Sequence, residues 1–525
     1  MNGHPALLAR LQDKHPGLAI TDAGDWLEAR LPPEAVPGFA TALMDEHGCR
    51  FATLVVEPDE AAGGFVLRYF FHHPQDAGLV AIRTAVPDGD PVPAISDRVH
   101  AADWHEREAE DLYGIRFMGH PFLGDFVLHD TVWPEGVTPM RRDFDARKRI
   151  DEPGLGADWK PRRVLEQEGA IVFPVGPIWG DYHEAGLWLL ETPGEQIHEA
   201  HSRLFYKYRA VEKIAEGETP AHAVLLAERF SGNSAFAHAF ALCQTLEKIA
   251  GCNPPPRAHA LRVVFAEFER MRYHATTIAE LAGATGLQVG KSMAQEIEEQ
   301  LLRLAGQACG HRYFFGLCMP GGLAWDIDDK QLGTFRTGIA RVAEALARLE
   351  RLLVHTSSFL DRIEEMGTLR PEVADLYGVV GPLARASGRR IDLRRTLPYG
   401  IYAQHPPEVP REIEGDGYAR LRVFFAEIRA SIALIDSLLA ALPAGPVSAE
   451  CPVGAGTALG WVEAPSGGTF HWVRVDDAGR IRRWRIAPPG FRNWHAFHRA
   501  LEGAAFQDFP IILASLGLSV AESDR

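Results

Sequence analysis

The sequence predicts an α+β protein with a small α/β domain at the N-terminus, followed by a larger and mainly helical domain. Short runs rich in Val, Phe and Tyr, separated by Pro, Asp and Gly, occupy the first 150 residues. Helical spacing of apolar residues dominates from about 202 to 365, and strand-like runs return near the C-terminus. We therefore predict domains at residues 1–150 and 170–525, joined by a linker at 151–169, with a central helix bundle and peripheral β elements.

Composition and charge exclude several classes of protein. The hydrophobic content of 46% and the charged content of 24% are ordinary for a globular chain. With 54 Lys and Arg against 70 Asp and Glu, the formal charge is −16, so we expect no nucleic-acid partner. The first ten residues lack the apolar core of a secretory signal, and no run reaches the roughly 18 apolar residues that span a bilayer. We expect a chain that is not integral to a membrane but is able to dock on one.

The six cysteines are scattered, and none forms a C-x-x-C pair. This spacing argues against a zinc or iron–sulfur site in the chain and against a disulfide scaffold, so we expect free thiols in a reducing cytoplasm. Gly454 and Gly456 do not have the G-x-G-x-x-G spacing of a dinucleotide fingerprint, and no βαβ pattern surrounds them. We expect no direct NAD binding.

Turn residues and strand-forming runs predict the elements of the first domain. Pro37–His47 and Trp104–Leu112 have helical character. Between them we predict strands of a mixed or antiparallel sheet at Phe51–Val56, Phe65–Phe71 and Leu79–Val86.

The segment after the first domain is predicted to be a linker followed by a small β element. Lys148–Val164 is charged and contains two prolines and two glycines, which is typical of a linker. Ala170–Glu191 has short strand-like runs that are interrupted by Gly176-Pro177 and by Gly186.

The helical domain is clearest where apolar residues alternate at spacings of three and four. This heptad stripe predicts a helix that packs against helical neighbours. Its residues are Leu332, Phe335, Ile339, Val342, Leu346, Leu349 and Leu353. Further amphipathic helices are predicted from about Phe236 and at Leu421–Leu442, and strands at Thr469–Val475 and Ile481–Ile486.

Residues 229–238 read R-F-S-G-N-S-A-F-A-H, the most informative stretch of the chain. The stretch resembles the R-x-C-G-x-C-x-F-A-H segment of membrane-bound nickel–iron hydrogenases of the formate-hydrogenlyase type. The Arg, the Gly and the closing F-A-H are kept, whereas Ser231 and Ser234 stand where that family has cysteines. Thiolates are soft metal ligands, and a neutral hydroxyl is a poor substitute for them.

The first 150 residues resemble the 30-kDa-type subunit of respiratory complex I and its hydrogenase relatives. The chain reads W-H-E-R-E-A-E-D-L-Y-G-I-R-F-M-G-H-P from Trp104 and P-M-R-R-D-F from Pro139, which is similar to that family's signature. The acidic side chains between Glu106 and Asp111 are predicted to form an interface or to support the fold, rather than to catalyse, because such charged segments tend to be docking surfaces.

From about residue 170 the chain resembles the 49-kDa-type subunit of complex I, equivalently the large subunit of group 4 hydrogenases. Supporting segments are L-F-Y-K-Y-R-A-V-E-K from Leu204, similar to an early helix of the family, G-P-L-A-R-A-S-G from Gly381 and A-L-G-W-V-E-A-P-S-G from Ala458. The resemblance covers nearly the whole chain as a fusion of the two subunits. It implies a hydrogenase-large-subunit-like domain at 170–525.

The second cysteine pair of the hydrogenase branch is also absent. By register, Ser519 and Glu522 stand at those positions. Together with Ser231 and Ser234 they leave none of the four thiolates. We therefore expect a degenerate nickel–iron site, no metal bound by the chain, and no nickel hydrogenase activity.

Complex I subunits of this type also lack the cysteines and bind quinone through a His of a β-hairpin and a Tyr of the segment matching 229–238. Here Gly232 stands at the Tyr position and Trp179 at the position of the first hairpin His. Tyr182 and His183 are candidates for binding a quinone as cofactor, through hydrogen bonds to its carbonyl. A surface hairpin without a ligand is the alternative.

The resemblance and the residue types also suggest catalytic and cavity-lining side chains. We predict that Glu212, His238 and Arg385 are catalytic and that Ser231 and Ser234 line the cofactor cavity. Arg385 lies in the loop that, in hydrogenases, covers the metal site.

Further relay candidates are His274, Asp392 and Glu522. The family counterpart of Glu212 lies beside the metal cavity, and burial in a dry cavity without metal would raise the pKa of this carboxyl. A lone His on a helix, such as His238, is more commonly a core residue with satisfied hydrogen bonds.

The resemblance implies a subunit of a complex I-like or group 4 hydrogenase-like oxidoreductase at the cytoplasmic face of the bacterial inner membrane. Implied partners are a [4Fe–4S] small subunit, a ferredoxin-like subunit and integral-membrane antiporter-like subunits. Electrons would pass from the neighbouring [4Fe–4S] cluster to a quinone or another acceptor, coupled to ion transport, and the isolated chain would be inactive. The alternative is a non-catalytic coupling subunit that keeps an ion-transport complex assembled.

Overall fold

The computed structural model describes residues 4–60, 62–151, 165, 169–178 and 184–525, and these form the predicted α+β fold. The predicted linker at 151–169 lies almost entirely outside the described residues. No helix within the described ranges is long and apolar enough to cross a membrane.

The N-terminal region is built on a mixed five-stranded sheet with the strand order β1-β2-β5-β4-β3. The pairing of β2 with β5 is parallel, and the remaining pairings are antiparallel. Its elements are α1 (His4–Lys14), β1 (Ile20–Asp22), β2 (Leu27–Arg30), α2 (Val36–Asp45), β3 (Arg50–Pro58), β4 (Phe65–His73), β5 (Gly78–Val86), β6 (Val92–Pro93), α3 (Asp103–Tyr113) and β7 (Phe117–Met118). The predicted helices and strands of this region are confirmed, with small shifts at their ends.

A three-stranded antiparallel sheet follows, formed by β8 (Ile171–Val175), β9 (Leu187–Thr192) and β10 (Glu199–Arg203). The early helix suggested by the segment from Leu204 is mostly absent, because only α4 (Val211–Ile214) is helical there. Phe205 and Ala210 have φ angles of 65° and 53°. These left-handed conformations are incompatible with a continuous helix.

Long and short helices centred on α7 form the predicted central bundle. They are α5 (Pro220–Ala227), α6 (Ala235–Ala250), α7 (Pro256–Ala284), α8 (Gln288–Cys309), α9 (Asp329–Val354), α10 (Ser357–Leu360), α11 (Pro371–Leu376), α12 (Gly381–Ala386), α13 (Leu393–Thr396) and α14 (Gly417–Ala440), with β11 (Cys318–Met319) and β12 (Gly322–Leu323) between α8 and α9. The heptad stripe lies on α9 and is buried except for its first residue, Leu332. Its predicted role in core packing is confirmed.

The C-terminal region adds a three-stranded antiparallel sheet and four short helices. Its elements are β13 (Gly456–Ala464), β14 (Gly467–Val475), β15 (Ile481–Ala487), α15 (Gly490–Asn493), α16 (Phe497–Leu501), α17 (Phe509–Leu516) and α18 (Val520–Ser523). Strand β13 packs along α6. A Cβ on Gly460 would lie 2.6 Å from the Ala241 carbonyl oxygen, so this close approach requires glycine.

Two of the acidic side chains of α3, Glu106 and Glu108, are internal rather than part of a docking surface. Glu106 is buried and accepts hydrogen bonds from the backbone N–H groups of Ile95 and Ser96 at 2.9 and 3.3 Å. Glu108 is buried against Arg525 at the opposite end of the chain, with 2.6 Å between Oε1 and Nη2. Glu106 therefore stabilises the N-terminal region itself, and Glu108 stabilises the packing of that region against the C-terminal segment.

Candidate functional site

The serine-substituted segment leads directly into helix α6. Ser234 precedes the helix but does not cap it; instead, the N–H groups of Phe236 and Ala237 donate to the two carboxylate oxygens of Glu269 on α7, at 2.8 and 2.9 Å. Burial raises the pKa of Glu269 to about 7, although Arg272 and the two N–H groups oppose this shift. A carboxylate from α7 thus satisfies the helix N-terminus at the centre of the site.

The backbone of the loop between the two serines is fixed by hydrogen bonds from Arg272. Nη2 of Arg272 donates to the carbonyl oxygens of Gly232 and Asn233, at 2.8 and 2.9 Å. Ser231 and Ser234 are both buried, and their hydroxyls have no hydrogen-bond partner among the described residues. The two hydroxyls are therefore enclosed without taking part in the network around them.

The C-terminal segment meets α6 at Glu522. One carboxylate oxygen of Glu522 lies 3.1 Å from Nε2 of His238, and the other lies 3.2 Å from the Ser466 hydroxyl. Ser519 caps α18, because its hydroxyl accepts the N–H of Glu522 at 3.2 Å. The structure therefore brings together His238 and the two C-terminal positions that the sequence pointed to.

A chain of rings fixes the direction of the hydrogen bond from His238. Nε1–H of Trp484 donates to Nδ1 of His471 at 3.2 Å, so the proton of a neutral His471 lies on Nε2. That N–H donates to Nδ1 of His238 at 3.0 Å, which leaves Nε2–H of His238 to donate to Glu522. Burial, together with His238 and Arg525, holds the pKa of His471 well below its usual range, so this ring is neutral.

Glu212 lies in a separate ion cluster rather than in a dry cavity. Its carboxylate contacts Arg483 at 3.0 Å, Arg525 at 3.3 Å and the N–H of Ile486 at 2.9 Å. Burial alone would raise its pKa, but Arg483, Arg485 and Arg525 outweigh burial and lower it. The expected raised pKa is therefore wrong, since the neighbouring guanidinium groups were not recognised from the sequence.

Arg385 and two of the relay candidates belong to a third buried cluster. Nη1 of Arg385 lies 2.9 Å from Glu463 and 3.4 Å from Asp392, and Nε donates to Glu427. Nε2 of His274 contacts the other oxygen of Glu427 at 2.8 Å. Arg385 is fully buried in this cluster and is not among the residues that line the cavity described next.

A cavity of about 480 Å³ adjoins the serine-substituted loop. Gly232 and Asn233 form part of its wall, and Ser519 and neighbouring residues of the C-terminal segment form another part. Tyr273 of α7 and the indole rings of Trp188 and Trp494 also line it. The charged side chains in its lining are Glu184, Glu280 and Lys291.

Not all of the predicted site can be located. Tyr182, His183 and Trp179 of the predicted hairpin lie outside the described residues. Of the side chains that the structure adds, Tyr273 lies in the apolar pattern of α7 and His471 lies in a strand, so no motif marked them, whereas Glu269 belongs to a charged pattern on α7. The charged pattern R-x-x-x-x-E-x-E-R-x-R from Arg262 could have indicated functional residues on α7, because this density of charge is unusual on a core helix.

A small α/β domain packed on a helix bundle, with the N-terminus of α6 and the C-terminal segment meeting beside a cavity, agrees with the fusion of a 30-kDa-type and a large-subunit-type domain that the sequence resemblance implies. The family described as the 30 Kd subunit of respiratory-chain NADH dehydrogenase matches residues 29–150. The family described as the 49 Kd subunit of the same enzyme matches residues 286–454 and 448–525.

Known proteins match along the full length of the chain. Formate hydrogenlyase subunit 5 of Escherichia coli (strain K12) is 30% identical, over 99% of this chain and 93% of that protein. Hydrogenase-4 component G of the same organism is 29% identical, over 100% and 93%. The C/D subunit of NADH-quinone oxidoreductase from Bdellovibrio bacteriovorus is 24% identical, over 88% of each. The chain belongs to the family of fused 30-kDa-type and 49-kDa-type subunits of respiratory complex I and group 4 hydrogenases.

Proposed function

We propose that this chain is a peripheral subunit of a membrane-associated oxidoreductase complex at the cytoplasmic face of the bacterial inner membrane. It passes electrons from a [4Fe–4S] cluster on a neighbouring subunit to a quinone or another acceptor in the cavity beside Ser519, coupled to ion transport. The relatives are each named as a subunit or component of a larger enzyme, which supports membership of a complex. The further partners are a ferredoxin-like subunit and antiporter-like membrane subunits.

The residues at the four former ligand positions do not fit a nickel–iron centre. Ser231 and Ser234 offer neutral hydroxyls, and the Ser519 hydroxyl already caps α18. Both carboxylate oxygens of Glu522 are engaged by His238 and Ser466. Because nickel–iron chemistry depends on soft thiolates, we assign no step of the reaction to such a centre.

The cavity is the observation that most supports an acceptor site in this chain. Its volume of about 480 Å³ lies in the range of small-molecule sites, which is about 300–1,000 Å³. The two indole rings of Trp188 and Trp494 provide flat apolar walls, and the Tyr273 hydroxyl provides a polar group. A quinone needs this combination, because its ring is flat and apolar and its carbonyl oxygens accept hydrogen bonds.

The test is the purification of the intact complex from membranes through this chain, followed by EPR before and after a quinone is added. A reduced [4Fe–4S] signal that disappears with quinone is the expected result. In the double variant His183→Ala and His238→Ala we expect the complex to assemble but the signal to persist. His222→Ala replaces a half-exposed imidazole that contacts Glu218 on the surface, and this control should behave as wild type. Full quinone-dependent loss of the signal in the double variant would remove both imidazoles from the mechanism.

The second candidate function is a non-catalytic coupling subunit. It is favoured by the hydrogen bonds that occupy Glu522 and Ser519, since these positions are used for internal contacts. A complex that assembles with no cluster signal would support this candidate. Nickel analysis of the same preparation tests for hydrogenase chemistry, and bound nickel would contradict the proposed function.

A further inference from the structure

Tyr273 occupies a distinctive place on the cavity wall. It projects from α7, it is 3% exposed, and its hydroxyl donates to the carbonyl oxygen of Gly517 at the end of α17. Gly517 has a φ of 57°, and a Cβ there would lie 2.8 Å from the Thr277 side chain. Only glycine therefore allows this turn to approach α7 so closely and to meet the tyrosine.

The Tyr273 hydroxyl is also connected to the centre of the site. The Ser466 side chain lies beside it and contacts Glu522 at 3.2 Å. Glu522 receives the directed N–H of His238 on its other oxygen. With Ser466 donating to the carboxylate, its oxygen is left as an acceptor for the tyrosine. The phenolic proton can then turn between Ser466, Gly517 and a ligand by rotation about one C–O bond.

The electrostatics of this hydroxyl suit a neutral ligand. Burial, with Glu522 and Glu280 adding to it, holds the pKa of Tyr273 well above its usual range, so the group remains a neutral donor. Of the charged side chains in the cavity lining, Glu184 pairs with Arg209 at 2.6 Å, and Glu280 and Lys291 have opposite charges, so the lining has no excess of positive charge for an anion. A neutral carbonyl compound with an apolar ring is favoured over a carboxylate or a phosphate.

We infer that Tyr273 donates the hydrogen bond that binds one carbonyl oxygen of the quinone in this cavity, and that Ser466 is a positioning residue that orients the phenol. The inference rests on the proposed function. It supplies a donor from α7 in a chain where Gly232 stands at the position of the family's quinone-binding tyrosine. The site takes a neutral quinone whose ring packs against Trp188 and Trp494, which contact each other with ring centroids 6.0 Å apart.

The experiment uses the complete complex purified with wild-type, Tyr273→Phe, Ser466→Ala or Tyr113→Phe chain. Tyr113→Phe is the matched control, because Tyr113 is a buried tyrosine outside the cavity whose hydroxyl has no partner among the described residues. Binding of a soluble short-chain benzoquinone to the oxidised complex is measured by equilibrium dialysis, which gives Kd. In parallel, reoxidation of the reduced complex by the same quinone gives KM and kcat.

Loss of one hydrogen bond to a neutral acceptor predicts that Tyr273→Phe raises Kd and KM about tenfold. Ser466→Ala should raise KM by about threefold with kcat unchanged, since the donor remains but is less well oriented. Tyr113→Phe should match wild type, and the cluster EPR signal should be unchanged in all variants. Equal Kd values for Tyr273→Phe and Tyr113→Phe would overturn the inference.

Different results would contradict quinone reduction by the complex and the hydrogen bond from Tyr273. If the wild-type complex binds the quinone but does not reduce it, the proposed function fails and the Kd ratio alone decides the role of Tyr273. If the wild-type complex does not bind the quinone, the inference is overturned as well. If a Tyr273→Phe complex does not assemble, the Kd and KM of Ser466→Ala decide, and wild-type values there would overturn the inference.

Discussion

Replacing Glu108 by alanine should strongly destabilise the chain. Its carboxylate lies between Arg485 and Arg525, all three side chains are buried, and the Arg525 contact measures 2.6 Å. Removal would leave these two buried guanidinium groups to share the carboxylate of Glu212 with Arg483. Breaking a buried pair in this way costs about 3–5 kcal/mol of unfolding free energy. That loss is large against the roughly 5–15 kcal/mol typical of whole domains.

Urea denaturation of the purified chain, followed by tryptophan fluorescence, measures this loss. The matched control is Glu299→Ala, because Glu299 also pairs with two arginines, Arg303 and Arg312, but at the surface, where 39% of its side chain is exposed. We expect the control to leave the urea midpoint unchanged. The reasoning is refuted if Glu108→Ala and Glu299→Ala unfold at the same urea concentration.

Two further predictions concern pH and packing. Burial raises the pKa of Glu106 to about 8. Between about pH 4.5 and 8 the folded state therefore binds more protons than the unfolded state. The contribution of Glu106 to the free energy of unfolding falls as pH rises through that range. Buried neutral histidines such as His471 act in the opposite direction below about pH 6.5, so urea midpoints are best compared between about pH 6.5 and 8. Glu106→Gln should have a flatter profile there, and a decline as steep as that of wild type would contradict the assignment. Leu349→Ala should lower the free energy of unfolding by about 2–5 kcal/mol, because the side chain is fully buried on α9. Leu376 is half-exposed, so in the same assay Leu376→Ala should stay within about 0.5 kcal/mol of wild type.

Periodicity predicted the elements well where one face of an element is buried. The stripe on α9 was found from spacing, because its burial follows the helical period. The three strands of the N-terminal sheet are buried on both faces and were found from runs rich in Val, Phe and Tyr between turn residues. The segment from Leu204 was mistaken for a helix, since positive φ angles at Phe205 and Ala210 are imposed by the surroundings. The N–H groups of Phe205 and Lys207 donate to the carboxylate of Asp524, a contact with the far end of the chain that no local pattern contains.

The site was only partly predictable for a similar reason. Motif register pointed to His238 and Glu522, which are in contact although 284 residues separate them. The charges that set the behaviour of Glu212 come from β15 and from Arg525, so its lowered pKa required the tertiary structure. Tyr273 was missed because a tyrosine on a core helix usually indicates packing. The approach of Gly517, which makes it part of the cavity, is a backbone feature of another segment.

The C-terminal segment is held by protein contacts at the point where the resemblance implies that a metal would join two segments in a hydrogenase. Glu522 bonds to His238 and Ser466, and Asp524 accepts two backbone N–H groups. Arg525 pairs with Glu108 of the N-terminal region. These contacts are distributed along the last residues of the chain and over both regions of the protein, so the cavity wall is shaped by the protein's own side chains. Loss of the thiolates is therefore compatible with an intact cavity, and the identity of the ligand depends on the groups that still face it, foremost the Tyr273 hydroxyl.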